Sequence, residues 1–136
     1  MSTKQLPTPV QPEGWVRPSG YSNGMVAEGR MVFVAGQVGW DPTSATPKLS
    51  ATFAGQFGQA LSNVMAVVKA AGGAAQHVVR LTVYVTDKRE YLLSLKEVGE
   101  AWRQQMGKHF PAMALVQVAG LVEEDAKVEI EATAVL

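Results

Sequence analysis

Glu129 and Glu131 stand two positions apart in the run Val128-Glu129-Ile130-Glu131-Ala132, so on an extended chain both side chains leave from one face. A carboxylate held there can take a proton from water if burial lifts its pKa toward neutrality, which makes this pair the main acid–base candidate. Read from the residues alone, the pair fits a solvated polar strand face better, because charged side chains are mostly exposed. His77 and His109 are the only histidines, and neither has a second ligand type at metal spacing. A metal site needs three or more converging ligands, so neither a metal nor another cofactor is expected. There is no Gly-x-Ser-x-Gly elbow, and Gly36-Gln37-Val38-Gly39 is too short a pattern to cradle a phosphate. The chain has no cysteine, which removes disulfides, thiol nucleophiles, iron–sulfur ligation and cysteine zinc sites together. Trp15, Trp40 and Trp102 could line a pocket, although Trp102 lies at helical spacing and fits a core equally well. Lys96 follows Leu95 at the edge of an apolar helical face, where a lysine ordinarily extends its amine into water.

These groups must be positioned by a small fold. A chain of 136 residues makes one domain and buries roughly two-thirds of its unfolded surface. Its 47% hydrophobic and 18% charged content is that of a protein with a packed core. Twelve basic residues balance twelve acidic ones and are scattered, which argues against nucleic acid or an anionic membrane as the partner. Pro7, Pro9, Pro12 and Pro18 punctuate the start, and no apolar run there is long enough for a signal peptide or a membrane span. The expectation is a cytoplasmic protein with a loosely held extension over residues 1–17 and a single domain over 18–136.

Met31–Val38 is a β-branched and aromatic run closed by Asp41-Pro42, hence a strand, and about Gly24–Glu28 forms a shorter one expected to pair with it across Gly29-Arg30. Phe53, Phe57, Leu61, Val64, Val67, Val68 and Ala71 share one helical face, ended by Gly72-Gly73. Val78–Thr86 alternates, with Val79, Leu81, Val83 and Val85 on one side, and reads as a half-buried strand. Asp87 and Glu90 make a capping box for a helix presenting Tyr91, Leu95, Val98, Trp102 and Met106, stopped by Gly107. Ala114–Ala119 and Val128–Val135 are strands expected to pair as a hairpin around Glu123-Glu124-Asp125. The order β-β-α-β-α-β-β predicts an α+β mixed β-sheet with two helices on one face. The other face would carry Lys127, Glu129, Glu131 and Thr133, open to solvent or to another subunit.

Gly20-Tyr21-Ser22-Asn23, Val34-Ala35-Gly36-Gln37, Ala70-Ala71-Gly72, the strand from Val79 to Val85, Pro111-Ala112 and Val128-Glu129-Ile130-Glu131-Ala132 follow one another in a specific order. In that order and spacing the chain resembles the Rid (YjgF) family of enamine/imine deaminases, from about Pro18 to Leu136. The resemblance implies the chorismate-mutase-like α+β fold, assembled as a homotrimer with three pockets between subunits. In deaminating members the pocket holds a tyrosine near the start, the Gly-Gln strand end, an asparagine on the second helix, an arginine after Pro-Ala, and the first glutamate of the tail. Carried over by position, these fall on Tyr21, Gly36, Gln37, Lys96, Met113 and Glu129. Two have changed: Lys96 replaces the asparagine, and Met113 replaces the arginine that would clamp a substrate carboxylate. Ala35 also stands where a serine is frequent, and Leu115 near a frequent cysteine.

The implied roles are Glu129 as general base and Tyr21 as orienting group, with Gly36, Gln37, Trp40, Lys96, Met113 and Arg17 around the substrate. Losing a charge-assisted pair from a partly buried site costs about 2–5 kcal/mol, so activity on the standard 2-aminoacrylate should be weak. Lys96 or Arg17 is the expected replacement cation, suiting a longer or differently shaped metabolite. Pro-Ala-Met with Gly39-Trp40 resembles, more loosely, a branch that includes 2-aminomuconate deaminase-like proteins of aromatic catabolism. The implied reading is a hydrolase releasing ammonia from an enamine or imine. A non-catalytic trimer binding a small metabolite is the alternative. Endoribonuclease, a name also used in this family, is disfavoured by the absence of a basic patch.

Overall fold

A computed structural model describes residues 5–136, so the first four residues of the expected extension lie outside the described residues. The strands are β1 (Thr8–Val10), β2 (Gly24–Val26), β3 (Met31–Val38), β4 (Val78–Val85), β5 (Ala112–Gln117) and β6 (Val128–Val135). The helices are α1 (Phe53–Ala70), α2 (Lys88–Leu93) and α3 (Leu95–Met106), and a 3-10 turn spans Ala75–His77. The result is an α+β fold built on a mixed sheet.

Four strands form that sheet in the order β3-β6-β4-β5, with β6 antiparallel to both neighbours and β4 parallel to β5. Two expected pairings are therefore corrected. The strands β5 and β6 do not form a hairpin, because β4 lies between them. Val128, Ile130 and Ala134 are fully buried, and so apolar a run occupies the sheet interior rather than an edge. Nor does β2 turn back on β3; it pairs with β1, a short strand that contains Pro9 and fits an edge. The backbone of Arg30 is instead committed to Leu136, with its N–H donating at 3.0 Å and its carbonyl accepting at 2.7 Å. Gly29 enters this corner at φ +148°, where any Cβ would run into the Leu136 carbonyl.

Thr52 caps α1 by accepting from the Gly55 N–H at 3.1 Å, and the helix lays Phe57, Ala60, Leu61, Val64 and Val68 on the sheet. Val67, expected on that face, is 39% exposed, whereas Gln56 and Asn63 are buried. The single second helix of the sequence reading is two helices. Ser94 Oγ donates to the Glu90 carbonyl at 2.7 Å, a local bond that competes with helical pairing, and α2 ends there. Asp87 does cap α2, accepting from the Arg89 N–H at 2.9 Å, while the Glu90 carboxylate takes the Lys127 ammonium at 2.9 Å. Val98, Trp102 and Met106 of α3 complete the core with Leu81, Val83, Ile130 and Ala132 from the sheet. Fully burying a side chain such as Leu81, Val83 or Ile130 contributes roughly 1.5–3 kcal/mol relative to exposure.

All of this cover lies on one side. The other face of the sheet presents Phe33, Arg80, Thr82, Tyr84, Glu129, Glu131 and Thr133, with Phe33 73% exposed.

Candidate functional site

Glu129 owes its setting to an irregularity in β3. Val34 pairs with Ala132, but the next pairing is Gln37 with Ile130, so β3 advances three residues while β6 advances two. The extra residue is a bulge, a device that bends a strand and re-aims side chains. Ala35 and Gly36 sit in it, and a Cβ on Gly36 would overlap the Glu129 carboxylate. Glycine there leaves the half-buried carboxylate lying directly over the backbone of β3. The Gln37 amide folds back, donating from Nε2 to the Ala35 carbonyl at 3.1 Å. Nothing in the chain's alternation signals the bulge, although its glycine does.

Tyr84 faces Glu129 across the β4–β6 register and donates its hydroxyl to Glu131 Oε1 at 2.6 Å. That hydrogen bond, then burial and the Glu131 and Glu129 charges, hold the phenol above its ordinary pKa, with Arg80 opposing. Alternation alone marks Tyr84 only as an outward-facing residue of β4. Its signal was a phenol on the face shared with two carboxylates.

The other expected residues lie elsewhere. Tyr21 and Arg17 are exposed and share a hollow of about 370 Å³ with Lys108 and His109. Tyr21 is fixed there because Ser22 donates its N–H to the Pro111 carbonyl at 3.1 Å and its hydroxyl to the Phe110 carbonyl. His109 Nε2 lies 2.7 Å from the Val78 carbonyl and must donate to it, while His77 Nδ1 accepts from the Ala74 N–H at 2.9 Å. Both imidazoles thus hold backbone groups in place.

Met113 pairs in register with the buried Leu81, on the helix side of the sheet. It lines a hollow of about 270 Å³ between α3 and β5, where Trp102 and Phe110 stack at 5.9 Å. The cations at this hollow are Arg103 and Lys108; Lys96 points to solvent and Arg17 lies in the adjoining hollow with Tyr21. Periodicity could not reveal Arg103, because its role depends on where α3 ends relative to β5. Trp40 lies at a third hollow, formed by loops with Lys48, Gln56 and Lys127. Its carbonyl accepts from Asn63 Nδ2 at 2.7 Å.

Within one chain, then, Gly36, Gln37 and Glu129 come together, and Tyr21 and Arg17 come together in a hollow that adjoins Met113's through Lys108 and Phe110. Glu129 and Met113 stand on opposite faces of the sheet.

A mixed sheet, helices packed on one face only, and a glutamate over a glycine bulge on the other define a small α+β class. The chain belongs to the Rid (YjgF) family: the family model described as Endoribonuclease L-PSP matches residues 16–136. It is similar to the human 2-iminobutanoate/2-iminopropanoate deaminase, with 33% identity over 135 residues, 99% of this chain and 88% of the relative. The Escherichia coli K12 protein of the same name is 37% identical over 107 residues, covering 79% and 80% of the two chains. Among solved structures, YyfB of the Rid family from Yersinia pestis superposes with a TM-score of 0.83 at 28% identity, covering 97% of this chain and all of that one.

Proposed function

We propose that this chain is a hydrolytic deaminase of enamines or imines, acting on a small metabolite other than the standard 2-aminoacrylate. The observation that carries the reading is the Glu129 carboxylate seated over Gly36. An enamine first shifts a proton from nitrogen to its β carbon, giving the imine. Glu129 takes a proton from water as the oxygen bonds to the imine carbon. The C=N electron pair moves to nitrogen, which takes that proton to give a carbinolamine; the carbinolamine hydroxyl then passes its own proton to nitrogen by way of Glu129, the C–N bond breaks, and ammonia leaves as the carbonyl forms. Glu131 is engaged by the Tyr84 hydroxyl, which leaves Glu129 as the free carboxylate of the pair. The human and Escherichia coli relatives are named for 2-iminobutanoate and 2-iminopropanoate. Here Met113 offers no donor to a short acid's carboxylate, which favours a larger substrate, one of 2-aminomuconate type among them.

Because Glu129 and Met113 lie on opposite faces of the sheet, and Tyr21 lines the hollow that adjoins Met113's, the full site forms when the open face of one copy meets the Tyr21–Met113 side of another. A heterologous contact of this kind closes into a ring, here a trimer. The exposed Phe33 gives that face apolar surface to bury.

Ammonia release from freshly generated 2-aminoacrylate, 2-iminobutanoate and 2-aminomuconate, compared with Glu129→Gln, tests the chemistry. Release that falls at least 100-fold in the variant is expected, from the usual worth of a general base. No release above the spontaneous rate from any of the three sinks the proposal and leaves a metabolite-binding protein. Mixing Glu129→Gln with Tyr21→Phe after joint refolding tests the assembly: a shared site recovers about a quarter of wild-type activity, since one contact in four is then intact. Recovery no greater than the sum of the two variants places the site within one chain.

A further inference from the structure

We infer that the hollow between α3 and β5 receives the body of the ligand, and that this ligand is a carboxylic acid with an apolar body, its carboxylate held by Arg103 and Lys108. The inference deepens the proposed site and rests on that reading for its place in the reaction, but binding itself can be measured apart from turnover. Three observations carry it.

The walls are apolar yet open. Leu95 is 52% exposed, and with Trp102, Phe110, Met113 and Leu115 it surrounds a space of about 270 Å³. That is just under the roughly 300 Å³ at which small-molecule pockets begin, so the occupant is small. The indole N–H of Trp102 already donates to the His109 carbonyl at 3.2 Å, which leaves the ring to work as apolar wall against the stacked Phe110.

The polar side chains at the hollow that carry charge are of one sign. Arg103 and Lys108 both line it, and among the described residues neither forms a salt bridge. Arg103 also sits in the last turn of α3, where a cation suits the helix's partial negative end. That structural role predicts a change in stability on substitution; the ligand role predicts a change in affinity for anions alone.

Methionine at position 113 makes the floor of the hollow hydrophobic. An acid of two or three carbons would leave those walls bare, whereas each methylene laid on them adds roughly fourfold in affinity. The cations stand at the hollow beside Met113, so a longer acid reaches both features and a short one cannot.

Calorimetric titration of the 136-residue chain with 4-phenylbutanoate, 4-phenylbutanamide and propanoate tests this directly. The expected order is 4-phenylbutanoate at least tenfold tighter than either of the others. Arg103→Gln and Lys108→Gln should each weaken the aromatic acid roughly tenfold, as for one charge-assisted hydrogen bond, without changing binding of the amide. Equal binding of acid and amide overturns the role of the cations, and equal binding of propanoate overturns the role of the walls. Absence of binding by 4-phenylbutanoate at millimolar concentration overturns both. Binding in the expected order without any deaminase activity leaves this inference standing and removes the proposed chemistry; deamination with the order lost does the reverse.

Discussion

Gly36→Ala adds one methyl group at the point where the Glu129 carboxylate lies. A Cβ placed there stands 2.9 Å from Glu129 Cδ and 3.1 Å from Cγ, and closer still to Oε2. Carbon atoms settle about 3.5–4.0 Å apart, so the carboxyl group must retreat by about 1 Å or turn to another rotamer. The obstacle is the end of a flexible side chain, and Gly36 does not occupy the left-handed region. Stability should therefore change by less than about 1 kcal/mol. Displacing a catalytic group by about 1 Å costs around 100-fold in rate, within the range for losing a general base. Steady-state ammonia release and thermal melts on wild type, Gly36→Ala, Glu129→Gln and the double variant provide the assay. Both single variants should lose about 100-fold or more in kcat while melting near wild type, and the double variant should be no slower than Glu129→Gln, because both changes remove one interaction. Wild-type turnover in Gly36→Ala would refute the role given to Glu129, and a Gly36→Ala chain that fails to fold would refute the claim that only the carboxylate is displaced.

Gly29→Ala should behave in the opposite way, losing about 2 kcal/mol or more in chemical denaturation, because its φ is +148° and the added carbon meets backbone at Leu136. Gln56→Ala should cost about 1–3 kcal/mol: the buried amide donates to the Ser50 and Asp125 carbonyls and accepts from the Lys127 N–H, and none of these can follow an alanine. Tyr84 has its pKa raised from 10.0 by donating to Glu131, so its contribution to stability is whole below that pH and is lost as pH rises through the folded-state value. Thermal melts between about pH 9 and 11 should show a decline that Tyr84→Phe reduces, and an unchanged decline in the variant would remove Tyr84 as its source.

The element types were legible because each rests on local spacing. The apolar face of β6 could be read residue by residue and that of α1 in the main, with Val67 exposed and Gln56 and Asn63 buried against expectation, and the open sheet face followed from the alternation of Glu129 and Glu131 with Val128 and Ile130. Partners were not legible. Whether β5 joins β4 or β6 depends on which strand is buried on both edges, and the hairpin expectation failed because a short polar connection is compatible with either. Ser94 looked like an ordinary helical position; its hydroxyl bond to Glu90, which ends α2, is a competition that spacing does not weigh. The same limit governed the cations. Lys96 stands at the carried-over helical position itself, but its side chain is exposed and does not line the hollow, and Arg103, two turns later on α3, does.

The opposite placement of Glu129 and Met113 means that the residues carried over from the family pattern cannot form one site within a single chain. Side chains in a strand alternate faces, so residues whose parity in the sheet differs cannot meet within one layer, however close they lie along the register. Met113 shares the face of Leu81, and Glu129 that of Tyr84. A base on one face and a binding hollow on the other can serve one substrate only if a second copy turns its opposite face toward the first. Under that arrangement substitutions in the hollow and substitutions at the base fall in different subunits of the same site. Changes such as the methionine at position 113 can then alter what is bound without disturbing the strand bulge that holds the carboxylate, because β3 and β5 occupy opposite edges of the sheet.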